Sequence, residues 1–147
     1  AILKSMLSVG HRIPKKNILI SSGPTRSKVE LLNSTRMLIE KGYNTYSTAG
    51  TAKFFKENGI DTQILYWPDE DKEPNIMEYL HDRKIDLVIN IPKNHTKREL
   101  DNGYKIRRAA VDYNIPLITN ARLASAFIYA ICKVDPTEIA IKSWDEY

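Results

Sequence analysis

Short apolar runs alternate with longer amphipathic runs along most of the chain, and the alternation predicts strands and helices in turn. Five short runs have the composition of strands, and they span residues 17–21, 44–47, 62–66, 85–91 and 116–119. Five longer runs place apolar residues three and four positions apart, and they span residues 27–41, 51–58, 75–82, 103–113 and 121–132. Because each strand is followed by a helix, we expect five β-α units, a parallel doubly wound sheet and helices on both of its faces.

This order of elements predicts a three-layer α/β/α fold of the Rossmann-like type, with a five-stranded parallel sheet. The run 85–91 is almost continuously apolar, so it is expected to be buried on both faces at the centre of the sheet. The alternating run 138–142 is expected to form a small extra strand. The chain begins at Ala1 inside a helical pattern that Gly10 ends, and we expect residues 1–14 to be the tail and linker of a preceding domain and 15–147 to be the folded domain.

Composition narrows the classes of partner. The chain has 147 residues, 42% of them hydrophobic, which suffices for one core. A net charge of +4, without clustering of the basic residues, favours an anionic ligand over nucleic acid. Cys132 lies in an apolar run, where we expect a buried, inert thiol in a reducing compartment. No apolar run approaches the roughly 20 residues that span a bilayer, so a soluble, intracellular protein without a membrane partner is expected.

In a parallel sheet, ligands bind beyond the carboxyl ends of the strands, so the residues that follow each strand are the candidates. Most of these residues form hydrogen bonds and few ionise, which favours binding over acid-base chemistry. They are Ser21, Ser22, Gly23, Thr48, Thr51, Trp67, Asn90, Lys93, Asn94, His95, Thr96, Thr119 and Asn120.

The most informative segment is Thr48-Ala49-Gly50-Thr51, which joins a predicted strand to a predicted helix. It places two hydroxyls and a helix N-terminus at a strand end, where a phosphate or carboxylate is readily held. The alternative is that Thr51 merely caps its helix. Lys28 lies near the start of another helix, where a cation opposes the helix dipole, so a bound anion would account for it. The alternative for Lys28 is an ordinary solvated lysine.

Three other clusters have simpler interpretations. The acidic run 69–71 is expected to be a mobile, solvated loop. The three histidines, at positions 11, 81 and 95, lack the spacing of a metal site and are expected at the surface. Neighbouring residues of a helix point about 100° apart, so at most one of Arg107 and Arg108 is expected to reach a pocket, while the other pairs with an acid or with another domain.

Several separated segments, in order, resemble the C-terminal allosteric domain of the carbamoyl phosphate synthetase large subunit. They are Leu3 to Gly10, Ile13 to Leu19, Ser47-Thr48-Ala49-Gly50-Thr51-Ala52, Asp86-Leu87-Val88-Ile89-Asn90, Tyr104-Lys105-Ile106-Arg107-Arg108-Ala109-Ala110 and Ile115-Pro116-Leu117-Ile118-Thr119-Asn120. The resemblance covers essentially the whole chain. It implies a methylglyoxal-synthase-like fold that binds a regulatory ligand and does not itself catalyse a reaction.

The resemblance also assigns site residues. The phosphate pocket of nucleotide-regulated bacterial members uses a lysine, two threonines and an asparagine, and these fall on Lys28, Thr48, Thr51 and Asn90. Two positions depart from that pattern, because a second pocket lysine corresponds to Trp67 and a threonine corresponds to Pro92.

Two other types of the family share part of the pattern. The urea-cycle type, activated by N-acetylglutamate, is similar in its two threonines, in Trp67 and in the asparagines at Asn90 and Asn102, but another loop asparagine falls on Lys93. The animal pyrimidine-pathway type, which answers to UTP and phosphoribosyl pyrophosphate, also carries a tryptophan in this stretch. Trp67 would stack on a base, pack against an acyl chain or simply pack at the rim.

We therefore expect the effector to be a phosphorylated molecule, namely UMP, UTP, IMP or phosphoribosyl pyrophosphate, with N-acetylglutamate as the alternative. The predicted effector site is Lys28, Thr48, Thr51, Trp67, Asn90, Lys93 and Asn102. The resemblance implies no cofactor and no metal for this domain, since ATP and Mg²⁺ would belong to the parent ligase.

The implied partners are the ATP-grasp synthetase domains of the same chain, a glutaminase subunit indirectly, and a second copy of the domain. The domain would tune carbamoyl phosphate synthesis for pyrimidine and arginine biosynthesis. The expected location is the cytoplasm, or the mitochondrion for the urea-cycle type. Methylglyoxal synthase activity is not expected, because the synthase's Gly-Asp-x-Gln-x-Gly run is absent and Asn90-Ile91-Pro92 stands where the synthase has Trp-Asp-Pro. A structural oligomerisation module with a vestigial pocket is the opposing hypothesis.

Overall fold

A computed structural model describes residues 16–92 and 96–133, and its elements alternate as predicted. The strands are β1 (Asn17–Ser22), β2 (Asn44–Ser47), β3 (Gln63–Ile64), β4 (Leu87–Ile91) and β5 (Leu117–Ile118). The helices are α1 (Thr25–Glu40), α2 (Ala49–Glu57), α3 (Ile76–His81), α4 (Lys97–Asp112) and α5 (Ala121–Lys133). The predicted N-terminal tail at 1–14 and the predicted strand at 138–142 lie outside the described residues.

The five strands form one parallel sheet in the order β3-β2-β1-β4-β5, which confirms the predicted fold class. All five residues of β4 are buried, as predicted. Its predicted central place is wrong, because β1 occupies the middle and pairs with both β2 and β4. The two-residue strand β5 covers the outer edge of β4, so β4 is as enclosed as a central strand although it stands one place away from the centre.

The two faces of the sheet carry separate apolar cores. Successive residues of β1 point to opposite faces, and accordingly Ile18 and Ile20 pack in one cluster while Leu19 packs in the other. The first cluster contains the buried faces of α1, α2 and α5. The second contains those of α3 and α4. The result is the predicted three-layer arrangement.

Helix α4 begins at Lys97, six positions before the start that its apolar pattern predicts at residue 103. Its first turn is polar and is held by Thr96, whose hydroxyl accepts a hydrogen bond from the Glu99 amide at 3.1 Å and donates one to the Glu99 carboxylate at 3.2 Å. Such a side-chain cap starts a helix before any apolar face exists to reveal it. The early start brings the first turn of α4 to the carboxyl edge of the sheet.

Two further observations bear on the expectations. Cys132 is buried as predicted, and burial raises the pKa of its thiol. Within residues 16–92 and 96–133, every helix is too short or too polar to cross a membrane.

Candidate functional site

A cavity of about 260 Å³ lies beyond the carboxyl ends of β1, β2 and β4. It is bounded by Lys28 of α1, by the first residues of α2 and by one side of α4. Six of the predicted site residues line it together: Lys28, Thr48, Thr51, Trp67, Asn90 and Asn102. The seventh, Lys93, lies outside the described residues.

The two helices that begin at the cavity differ from the two on the other face of the sheet. Neither α1 nor α2 has a side-chain cap or an acidic residue in its first turn. By contrast, α3 and α4 are capped by Asn75 and Thr96 and carry an acid in their first turns. Caps and acids neutralise the positive end of a helix. The start of α2, where Gly50 and Thr51 line the cavity, therefore keeps its backbone donors and its partial positive charge for another acceptor.

A chain of buried hydroxyls ties α2 to β1 beneath the cavity. The hydroxyl of Thr51 accepts a hydrogen bond from the Ser22 amide at 3.0 Å and donates one to the Ser22 carbonyl at 3.1 Å. Thr48 continues the chain, with its Oγ1 3.4 Å from that of Thr51 and 3.2 Å from Ser21 Oγ. Helix α2 starts at Ala49 with Thr48 at the cap position, so the interpretation of Thr51 as a helix cap is wrong. Its hydroxyl joins two elements instead.

One of the paired arginines of α4 reaches the cavity. Arg107 lines it, and its Nη1 donates to Asn90 Oδ1 at 2.7 Å. Arg108 points away and pairs with Asp112 at 3.2 Å. This confirms that only one of the two faces the pocket, but Arg107 was absent from the predicted site. The helical period separates the two side chains without showing which faces the sheet, although the buried Ile106 next to Arg107 is a usable signal.

A glycine makes room for that arginine. A Cβ atom placed on Gly103 would lie 2.8 Å from Arg107 Nη1, which is closer than such atoms approach. Glycine within a helix costs about 1 kcal/mol relative to alanine. Glycine at this position leaves the space that the guanidinium occupies beside Asn90, and a larger residue would require the end of the Arg107 side chain to move.

The acidic loop after β3 is held by α4. Arg98 donates from Nε to Asp69 Oδ2 at 2.6 Å and from Nη2 to Asp69 Oδ1 at 3.2 Å. Asn102, which is buried, accepts a hydrogen bond from the Asp69 amide and donates one to the Arg98 carbonyl. The hydrogen bond from Arg98 lowers the pKa of the Asp69 carboxyl. The expectation of a merely solvated loop is therefore wrong for Asp69 and for Glu70, which also lies near Arg98.

The charges around the cavity are mixed but predominantly positive. Lys28 and Arg107 are its cations among the described residues, and Glu99 is its carboxylate.

Within residues 16–92 and 96–133, no group of three or more histidine, cysteine or acidic side chains is arranged to hold a metal ion. His81 is exposed beside Asp82, as predicted for a surface residue, while the other two histidines fall outside those ranges.

Comparison with protein families gives one match, the MGS-like domain, over residues 30–119. Among curated proteins, the multifunctional protein CAD of Squalus acanthias is 42% identical over 93% of this chain but only 7% of its own length. The C-terminal section of the carbamoyl phosphate synthase large chain of Aquifex aeolicus is 37% identical over 89% of this chain and 24% of its own length. The human mitochondrial carbamoyl-phosphate synthase [ammonia] is 38% identical over 90% of this chain and 9% of its own length. The chain thus spans a small part of each relative.

A solved structure shares the fold. The crystal structure of methylglyoxal synthase from Elizabethkingia anophelis NUHP1 superposes with a TM-score of 0.54, covering 78% of this chain and 77% of that one. Sequence identity is 17%, so the similarity concerns the architecture alone.

Proposed function

Since the chain belongs to the MGS-like domain family, we propose that it is the effector-binding regulatory domain of a carbamoyl phosphate synthetase large chain and that its cavity binds a phosphorylated effector. The preferred ligands are UMP, UTP, IMP and phosphoribosyl pyrophosphate. ATP and Mg²⁺ would serve the synthetase domains of the parent chain, a ligase located in the cytoplasm. The domain itself would bind and not catalyse.

One observation carries the proposal. The cavity brings the uncapped start of α2 together with Lys28 of α1 and Arg107 of α4. Free amides at a helix start and the positive end of the dipole hold a phosphate, and cations nearby strengthen charge-assisted hydrogen bonds to it. An apolar ligand would leave these donors unsatisfied at a cost of about 1–3 kcal/mol each. An anion is thus the ligand that satisfies the greatest number of these groups.

The cavity size favours a ligand with only its charged end enclosed. A volume of about 260 Å³ is slightly below the roughly 300–1,000 Å³ usual for small-molecule pockets. A phosphate with part of its sugar would fill this space, and Trp67 at the cavity wall would contact a base or the rest of the sugar.

N-acetylglutamate is the second candidate, and two observations favour it. The small volume suits a compact dicarboxylate. The arrangement of Trp67, Asn90 and Asn102 is compatible with the urea-cycle pattern that the sequence resembles. With this ligand, the parent would be the mitochondrial type.

Regulation would follow from differential affinity. The effector binds one arrangement of this domain against the synthetase domains more tightly than another, and the ratio of the two affinities sets the largest change in activity that it produces. A second copy of the domain or a glutaminase subunit would act as a further partner in that assembly.

Isothermal titration calorimetry of the chain with UMP, UTP, IMP, phosphoribosyl pyrophosphate and N-acetylglutamate tests the proposal. We expect saturable binding of at least one phosphorylated ligand, weakened by competing inorganic phosphate. Binding of N-acetylglutamate alone would select the second candidate. Silence with every ligand would support the opposing hypothesis of a vestigial pocket.

The substitution Gly103→Ala is expected to weaken phosphorylated-ligand binding without reducing stability. The added methyl group displaces the Arg107 guanidinium from Asn90, and losing one charge-assisted contact corresponds to about a tenfold loss of affinity. Alanine is the better helix former by about 1 kcal/mol, which offsets the loss of the Arg107–Asn90 hydrogen bond, so the thermal midpoint is expected to stay level. Calorimetry and thermal unfolding of the variant measure the two effects.

The matched control is the same substitution in an Arg107→Ala background. There the methyl group has no guanidinium to displace, so Gly103→Ala should add no further loss of affinity. An equal loss in both backgrounds would show that Gly103 acts independently of Arg107.

A further inference from the structure

We propose that Arg98 is a positioning residue that holds the Trp67 ring against the cavity wall, so that the ligand's non-phosphate part meets a fixed aromatic surface. The Arg98 clamp is defined here as Arg98, Asp69 and Trp67. The inference rests on the proposed function of the cavity and deepens it, because it concerns how the same site selects its ligand.

Three contacts meet at the Arg98 guanidinium. Two are the paired hydrogen bonds to the Asp69 carboxylate, at 2.6 and 3.2 Å. The third is to the Trp67 ring, whose centroid lies 5.1 Å from the guanidinium carbon. A planar guanidinium presents a fork of donors at its edge and a face for stacking, so one side chain makes all three contacts at once.

The backbone around Trp67 is held separately from its ring. Asn75 Nδ2 donates to the carbonyls of Trp67 and Glu70, each at 3.0 Å. Asn102 holds the Asp69 amide at 3.2 Å. These bonds fix the course of the segment without Arg98, so loss of Arg98 should release the ring while leaving the segment in place.

Of the three clamp residues, Trp67 is the one that lines the cavity. Arg98 and Asp69 lie behind it, with side-chain exposures of 57% and 34%. Arg98 thus acts on a ligand through Trp67. The carboxylate of Asp69 would repel an anion directly, so any support that Asp69 gives to anion binding must pass through the clamp.

The spectroscopic test uses a Trp144→Phe background, which leaves Trp67 as the only tryptophan of the two in the chain. We expect Arg98→Ala and Asp69→Ala to raise acrylamide quenching of Trp67 about twofold, because the ring loses its cover. Arg98→Lys should not restore the wild-type value, since an ammonium group does not form the fork and the stack together. Arg108→Ala is the matched control, because Arg108 is an exposed arginine on the same helix that pairs with Asp112.

The binding test compares UMP with inorganic phosphate by calorimetry. We expect Arg98→Ala and Asp69→Ala each to weaken UMP about fivefold, the double variant to be no weaker than either single variant, and phosphate to be unaffected. If Arg98 contacted the ligand directly, Asp69→Ala would free it and strengthen UMP binding, which would overturn the proposal.

The two tests separate the inference from the proposed function. Unchanged Trp67 quenching in Arg98→Ala would refute the clamp whether or not ligands bind. Increased quenching in a chain whose wild type binds none of UMP, UTP, IMP, phosphoribosyl pyrophosphate and inorganic phosphate would support the clamp and refute the proposed function.

Discussion

Replacing Lys28 with alanine is expected to weaken binding of a phosphorylated ligand about 10- to 100-fold. Lys28 lies in the first turn of α1 and lines the cavity. That first turn contains no acidic residue, and α1 has no side-chain cap to offset the helix dipole. A hydrogen bond to a charged group contributes about 1.5–3 kcal/mol, and each 1.4 kcal/mol changes affinity tenfold. The double variant with Arg107→Ala is expected to lose measurable binding, because it removes both cations that line the cavity among the described residues.

Lys53→Ala provides the control for this prediction. Lys53 is exposed on α2 and does not line the cavity, yet its loss lowers the net charge by the same amount. Calorimetric titrations of both variants at one salt concentration compare them directly. A similar loss in Lys28→Ala and Lys53→Ala would mean that only the overall charge attracts the ligand.

Thr51→Val is expected to lower the free energy of unfolding by about 2–3 kcal/mol, the largest stability change that we predict for a cavity residue. The substitution keeps the shape of the side chain but removes its hydroxyl. Ser22 ends β1 and is 3% exposed. Its amide and carbonyl then lose their partner in α2. A buried backbone group without a partner carries its full desolvation cost. Urea unfolding followed by circular dichroism measures the change.

Thr48→Val is the matched control, since Thr48 lies in the same segment and is equally enclosed. Its hydroxyl makes only the longer contacts, at 3.2 and 3.4 Å, both to other hydroxyls. We expect a loss of about 1 kcal/mol or less. A larger loss in Thr48→Val than in Thr51→Val would contradict the role assigned to the Thr51 hydroxyl.

The strand and helix pattern predicted the layers of the fold because apolar periodicity reports burial. It located β4 as a fully buried strand and α4 by its Ile106 face. It misplaced the start of α4, since the Thr96 cap contains no apolar signal. The pattern also did not show which of β1 and β4 lies in the middle of the sheet, because both strands are enclosed and largely apolar.

The candidate site was predictable where it depends on strand ends. Thr48 follows β2 directly, Asn90 lies near the carboxyl end of β4, and Lys28 was identified because a cation in a first turn is locally unfavourable. Arg107 and Arg98 depend instead on how α4 faces the sheet and the loop after β3. Such contacts join residues far apart in the sequence, so no local pattern shows them.

Amide chemical-shift mapping of the isotopically labelled chain, titrated with UMP, phosphoribosyl pyrophosphate and N-acetylglutamate, would show whether the effector binds in this cavity. We predict that the largest shifts occur at Lys28, at the start of α2, around Asn90, and at Gly103 and Arg107 on α4. We also predict that Lys28→Ala reduces these shifts at equal ligand concentration. Saturating shifts confined to another surface, or no shifts with any of these ligands, would contradict the assignment of this cavity as the effector site.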